Sequence, residues 1–194
     1  STPLKKLEAR INTLAESGSF KILRYLCEFK VIELKLEDCL FPKKLPDNIT
    51  DFKFFWAQGY RYQPVYNFFT LACEHGRKDI LEFIYQETRK NFWPSEDDLA
   101  LAANNGHSSV LEWALNRNLP IDNTKIVKAL ILNGHCQVFV HLQKNLKLTV
   151  SESQDISDKA TRMSQFNVVK WLYDNVGTVP SSYALGSAST QILG

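Results

Sequence analysis

Leu101–Ala102–Ala103–Asn104–Asn105–Gly106–His107, followed by Val110–Leu111–Glu112–Trp113, is the stretch on which the fold turns. Leu99, Ala102 and Ala103 fall at i, i+3 and i+4, so they share one helical face. The two alanines let a neighbouring helix approach closely. Gly106 ends this first helix, because a residue with no side chain enters the left-handed region without steric penalty. A second helix then carries Val110, Leu111 and Ala114 on one side, with Trp113 and Leu115 widening the stripe. Upstream, Ser95 stands as an N-cap three residues before Asp98, and Glu96 and Asp97 suit the positive end of the helix dipole. Pro94 and Pro120 punctuate the flanking connections.

The same hairpin recurs along the chain. Leu71–Ala72–Cys73–Glu74–His75–Gly76 precedes Ile80–Leu81–Glu82–Phe83, and Ala129–Leu130–Ile131–Leu132–Asn133–Gly134–His135 precedes Val138–Phe139–Val140–His141–Leu142. Ser164 replaces the glycine in a later copy, between Ala160 and Val168–Val169–Lys170–Trp171–Leu172. Near the start, Leu14–Ala15–Glu16–Ser17–Gly18 leads into Ile22–Leu23–Arg24–Tyr25–Leu26. One further unit places Asp47 at the glycine position, before Phe52–Lys53–Phe54–Phe55. The anchors are then 18, 47, 76, 106, 134 and 164, spaced 29, 29, 30, 28 and 30 residues apart, a regularity that random sequence does not produce. A two-helix unit of this size cannot bury its apolar faces alone, so stacking on its neighbours is obligatory. The expected architecture is an all-α solenoid of about six helical hairpins forming one domain over residues 1–194, with the first two units degenerate. Pro42 and Pro46 shorten the first helix of the second unit, and the alternation over residues 31–37 predicts an extended excursion there.

Composition narrows the function classes. Hydrophobic residues make up 44% and charged residues 23%, which fits a globular protein and argues against disorder. A net charge of +2, with only Lys5–Lys6 and Lys43–Lys44 as basic pairs, offers no phosphate-tracking stripe, so a nucleic-acid partner is not expected. No apolar run approaches the ~20 residues that span a bilayer, so neither is a membrane. Cys27, Cys39, Cys73 and Cys136 form no CxxC pair, which points to reduced thiols and a cytoplasmic setting. The chain opens at Ser1 without an initiator methionine, compatible with a piece of a larger polypeptide.

Leu101–Ala102–Ala103–Asn104–Asn105–Gly106–His107 resembles the LAAxxGH core of ankyrin repeats, and Asn133–Gly134–His135 and Asn167–Val168–Val169–Lys170–Trp171–Leu172 are similar to other parts of that consensus. The resemblance is clear over residues 66–175 and faint over 10–60. It implies a curved solenoid whose first helices and inter-repeat loops line a binding surface for a protein. The spacing is nearer 29 than the family's 33, and the opening TPLH turn is absent. Such short, tryptophan-bearing units are similar to divergent arrays of amoebal viruses and of effectors of intracellular bacteria. In this resemblance His107 and His135 are structural, bonding to backbone between repeats.

Chemistry-bearing motifs are few. There is no GxGxxG, GxxxxGK[ST] or HExxH, so no cofactor or metal is expected. Glu96–Asp97–Asp98 reads as a dipole-matched first turn instead of a metal site. Cys73 and His75, two apart near a helix end, point to different faces, and Cys73 stands at a buried small-residue position. Trp113 and Trp171 are expected in the core, and Trp93, in the connecting loop, is expected to pack between repeats as Ile121 does in the next. The function expected is that of a monomeric protein-interaction module, not an enzyme, serving as the recruiting domain of a larger effector. Its contacts come from the two residues before each anchor, Glu74 and His75, Asn104 and Asn105, Leu132 and Asn133, with Tyr60, Arg61 and Tyr62 as an aromatic anchor. The rival readings are a Cys/His-dependent hydrolase and a purely structural spacer.

Overall fold

The computed structural model describes residues 13–14, 17–29, 44–58, 65–119, 122–142 and 150–192, and among these the regular structure is helical throughout, with no strand. The alternating stretch 31–37, Cys39, Pro42, Pro120, Ile121 and the Tyr60–Arg61–Tyr62 cluster lie outside the described residues. The chain divides into two compact units, Ser1–Ala72 with Asp79–Trp93, and Cys73–Lys78 with Pro94–Gly194.

The first unit holds α1 (Phe20–Glu28), α2 (Ile49–Ala57) and most of α3 (Val65–Glu74) and α4 (Lys78–Glu87). Its core is aromatic. Phe52, fully buried, meets Phe68 and Phe83 edge-on at 5.5 and 5.9 Å, and Trp56 meets the same two rings at 6.1 and 5.7 Å. Edge-to-face contact sets the positive rim of one ring against the negative face of the next, so these pairs gain beyond their burial. Phe20 of α1 reaches Phe55 of α2 at 5.7 Å. Asp51, although buried, accepts from the Arg24 guanidinium and from the Asn48 amide, each at 2.7 Å, while Asn48 caps the backbone N–H of Asp51.

The second unit is built from paired helices: α5 (Glu96–Asn104) with α6 (Ser108–Leu115), α7 (Asn123–Leu132) with α8 (Cys136–Leu142), and α9 (Val150–Arg162) with α10 (Phe166–Val176), followed by α11 (Ser182–Ile192). First helices pack in chain order, α5 on α7, α7 on α9 and α9 on α11; second helices do likewise, α6 on α8 and α8 on α10. The expected face of α5 is in the core, with Leu99, Ala102 and Ala103 fully buried, as are Val110, Leu111 and Ala114 of α6. Ser95 and Asp98 form a reciprocal capping box at the start of α5.

Each anchor stands two residues before a second helix: Gly18 before Phe20, Asp47 before Ile49, Gly76 before Lys78, Gly106 before Ser108, Gly134 before Cys136 and Ser164 before Phe166. Five of the six are left-handed, with φ of 79° at Gly18, 66° at Gly76, 71° at Gly106, 75° at Gly134 and 56° at Ser164. Asp47 is the exception and corrects the reading of the second unit. It keeps the spacing but not the left-handed conformation, and the chain enters α2 through Asn48, an extended N-cap with φ −123°. In the second unit the turns share one hydrogen-bond pattern. His107 N donates to Ala102 O (2.9 Å) and Gly106 N to Ala103 O (3.1 Å), with counterparts at His135 and Gly134 and at Gln165 and Ser164. This is the Schellman arrangement, which satisfies carbonyls left over at a helix end.

The tryptophans divide. Trp113 is 1% exposed, with the Arg117 guanidinium 4.8 Å from its ring centre. Trp171, expected in the core, is half-buried: one face meets Phe139 edge-on at 5.1 Å, while the indole also lines an open cleft with Gln137, Val140 and Lys170. Trp93, expected to pack between repeats, is 41% exposed. Pro94 holds the residue before it extended, successive side chains alternate, and it is Pro94 that is buried while Trp93 and Ser95 face out.

The anchors differ in what a side chain would meet. A Cβ on Gly106 would lie 2.7 Å from Nδ1 of His135, whereas one on Gly134 would meet nothing within 4 Å. Gly134→Ala should therefore cost about 1–2 kcal/mol from the left-handed backbone alone, and Gly106→Ala clearly more, as read by urea denaturation. Ser164→Gly should stabilise by about 0.5–1 kcal/mol, since relief of the left-handed strain exceeds the added freedom of the unfolded chain.

Candidate interaction surface

After the anchors Gly106, Gly134 and Ser164, the next residue reaches back to the preceding hairpin. His107 Nε2 lies 2.9 Å from the Glu74 carbonyl, which also accepts from the Asn105 amide at 3.3 Å. One unit on, His135 Nε2 lies 2.8 Å from the Asn104 carbonyl, and the Asn133 amide donates to Asn104 Oδ1 at 3.0 Å. In the next unit Gln165 replaces the histidine, and its amide donates to the Ile131 carbonyl at 2.5 Å. All three acceptors belong to the last turns of α3, α5 and α7, where helical carbonyls lack intrahelical partners. Each hairpin thus caps the one before it. His107 and Gln165 correspondingly make no side-chain cap on their own helices.

The glycines make room for this ladder. His107 sits against Gly76 so closely that a Cβ there would lie 2.6 Å from its Nδ1. Because the ring closes over bare backbone, the bond to Glu74 forms without a side chain in the way.

Six of the nine residues expected to contact a partner lie on this rim. Glu74, His75, Asn104, Asn105, Leu132 and Asn133 are all exposed, Leu132 at 51% as an apolar point among polar neighbours. The ladder brings Glu74, Asn104, Asn105 and Asn133 into direct or shared hydrogen bonds, so their positions are fixed by backbone acceptors. Tyr60, Arg61 and Tyr62 fall outside the described residues.

Charges stitch the first helices together. Lys125 of α7 pairs with Asp97 of α5, and Lys128 reaches Asp155 of α9 at 2.7 Å. The Lys128 ammonium beside Asp155 holds that carboxyl below its ordinary range, with Lys159 adding to the effect. Exposed pairs of this kind add little stability each. The expected acidic run resolves accordingly: Asp97 takes a lysine, and Asp98 is buried in its capping box. Among the described residues no group of three His, Cys, Asp or Glu side chains is placed to hold a metal ion.

The thiols among the described residues all shift upward. Burial pushes Cys73 well above its usual range, Cys27 up to about 11, and Cys136 upward to a smaller extent. Among the described residues no helix is long and apolar enough to cross a membrane.

Two features of this surface went unread in the sequence. Gln165 carries a rung of the ladder, and only its place after an anchor signals it. Asp158 accepts from the Ser181 backbone N–H at 2.7 Å and from its hydroxyl at 2.6 Å, tying the start of α11 to α9. Burial would raise Asp158, but these bonds and the Gln154 amide outweigh it and leave the carboxyl below its ordinary range. A carboxyl lowered on folding contributes stability above the unfolded pKa, and that contribution disappears as pH falls through the folded value. Stability should hold above about pH 4 and decline below it, and Asp158→Asn should flatten that decline in an acid titration followed by circular dichroism.

Comparison of the chain with protein-family models, with curated proteins and with solved structures finds no match in any of the three.

Proposed function

We propose that this chain is a divergent ankyrin-type solenoid that works as a protein-interaction module, holding a partner protein on its first helices and on the turns before the anchors. The observation that carries the reading is the ladder itself. It presents exposed Glu74, His75, Asn104, Asn105, Leu132 and Asn133 on turns pinned by side-chain bonds from one hairpin to the next. Side chains held in place before binding lose less freedom on association, so a polar rim around apolar Leu132 suits recognition of a protein surface. A recruiting domain within a larger effector is the role this implies.

The thiol environments support binding over Cys-dependent hydrolysis, because a nucleophilic cysteine needs a lowered pKa and burial raises those of Cys27, Cys73 and Cys136. A structural spacer would share the stacked hairpins but would make no use of a defined rim.

Affinity capture with the intact chain from its native source should retain a specific protein, and Leu132→Asp should reduce that retention at least tenfold without lowering the melting temperature. The double replacement of Asn104 and Asn105 by alanine should also weaken capture, with a stability control because both side chains belong to the ladder. Retention of nothing specific favours the spacer; full retention by both variants places the contact surface elsewhere.

A further inference from the structure

Seven residues after each anchor, the second helices carry a ring: Tyr25, Phe54, Phe83, Trp113, His141 and Trp171. Three of these rings lie under a cation. The Arg24 guanidinium stands 5.4 Å from the centre of Phe54, the Lys53 ammonium 5.3 Å from that of Phe83, and the Arg117 guanidinium 4.8 Å from that of Trp113. All three fall within the roughly 6 Å over which a ring face attracts positive charge, and indole attracts it most strongly. Arg24 and Lys53 come from the preceding hairpin, from the sixth position after its anchor. In the second unit the sixth position reaches the seventh of the next hairpin in the same way, since Glu112 bonds His141.

Trp171 has the ring without the cation. The sixth position of the hairpin before it is Val140, which carries no charge and lines with Trp171 an open cleft of about 350 Å³. The residue four further along the helix, Arg117 in α6, is Asn175 in α10. Its amide donates to the Trp171 carbonyl at 2.9 Å, as Arg117 donates to the Trp113 carbonyl at 3.2 Å, but it brings no guanidinium. Among the described residues no cation lies over Trp171.

The rest of the cleft suits a guanidinium. Asp174 supplies a carboxylate, and exposed Gln137 and Asn167 supply amide oxygens. Arg24 sets the precedent: its guanidinium lies over Phe54 while donating to the Asp51 carboxylate at 2.7 Å. Asp174 is paired with Lys170 at 3.0 Å, their side chains 46% and 60% exposed. An exposed pair of that kind adds little. A planar guanidinium bonds a carboxylate through two N–H groups and stacks on a ring, which an ammonium does not. We propose that this cleft is a binding site for an arginine side chain of a partner protein, its guanidinium over Trp171 and its N–H groups donated to Asp174. Lys170 yields the carboxylate to it. The site lies on the second helices, apart from the rim of turns; only the source of the arginine rests on the reading of the chain as a protein-interaction module.

The test follows the four indole N–H signals of the 194-residue chain by NMR as N-acetyl-arginine amide is added. The Trp171 signal, identified by its absence in Trp171→Phe, should shift saturably with a dissociation constant in the millimolar range, while the Trp113 signal, already under Arg117, stays in place. N-acetyl-citrulline amide, which keeps the shape and loses the charge, should bind at least about tenfold more weakly, and N-acetyl-lysine amide at least about threefold. Asp174→Ala should weaken binding of the arginine amide about fivefold or more. Val140→Arg, which places a guanidinium where Arg24 and Lys53 carry their charges, should abolish the shift and leave the melting temperature unchanged or raised. Leu132→Asp should leave the response intact, so failure of the cleft and failure of the rim are read separately. No shift at Trp171, or equal responses to the arginine and citrulline amides, overturns the site. A lysine amide that binds as tightly as the arginine amide overturns the guanidinium assignment, and a full response from Val140→Arg overturns its placement over Trp171.

Discussion

In the second unit the packing of hairpins depends on one repeated contact: a polar side chain directly after Gly106, Gly134 and Ser164, bonded to a carbonyl near the end of the preceding first helix. The Glu74 and Asn104 carbonyls stand at helix ends without an intrahelical donor, so there the bond repairs a local deficit and joins two hairpins at once, while the Ile131 carbonyl also accepts from Gly134 N. His107, His135 and Gln165 perform this in succession. Glycine at positions 76 and 106 is required twice over, for the left-handed backbone and for the space that the imidazole occupies. Apolar burial supplies most of the cohesion, but it is non-directional and does not set register. The ladder does.

The two compact units bury their cores by different means. Around Phe52 the first unit relies on tilted and edge-on aromatic rings, with a buried carboxylate held by Arg24 and Asn48. From α5 to α10 the second unit sets buried Trp113 and Phe139 among more numerous small and branched aliphatic residues, Ala102, Ala103, Val110, Val127, Leu130 and Val168. Small residues permit close helix approach and repeated geometry, whereas large rings demand an individual fit at each position. That difference accounts for the faint repeat in the first half of the sequence and the clear one in the second.

Rigidity at the turns and exposure at the rim belong together. An exposed loop ordinarily surrenders conformational freedom on binding. Here Asn105 and Asn133 already have their amides committed to neighbouring hairpins, so the surface around Leu132 is preformed. The apolar end at α10 and α11 is a different kind of surface. It exposes Phe166, Tyr173 and Leu185.

Periodic glycine and apolar spacing are local properties of the chain, and they sufficed to place the second helices, the left-handed turns at Gly76, Gly106 and Gly134, and the capping box at Ser95. All of these arise from steric and hydrogen-bond rules acting over a few residues. Asp47 shows where that reading stops: the spacing persists while the turn conformation does not, because Asn48 offers a competing N-cap. Tertiary structure alone decided the rest. Trp93 faces outward while the neighbouring proline is buried, Trp171 is half open with one face against Phe139, and Gln165 takes the part of a histidine because a carbonyl of another hairpin lies within reach. The contacts of Gln165 and Trp171 depend on atoms about thirty residues away in sequence, and a distance of that kind is set by packing, not by spacing.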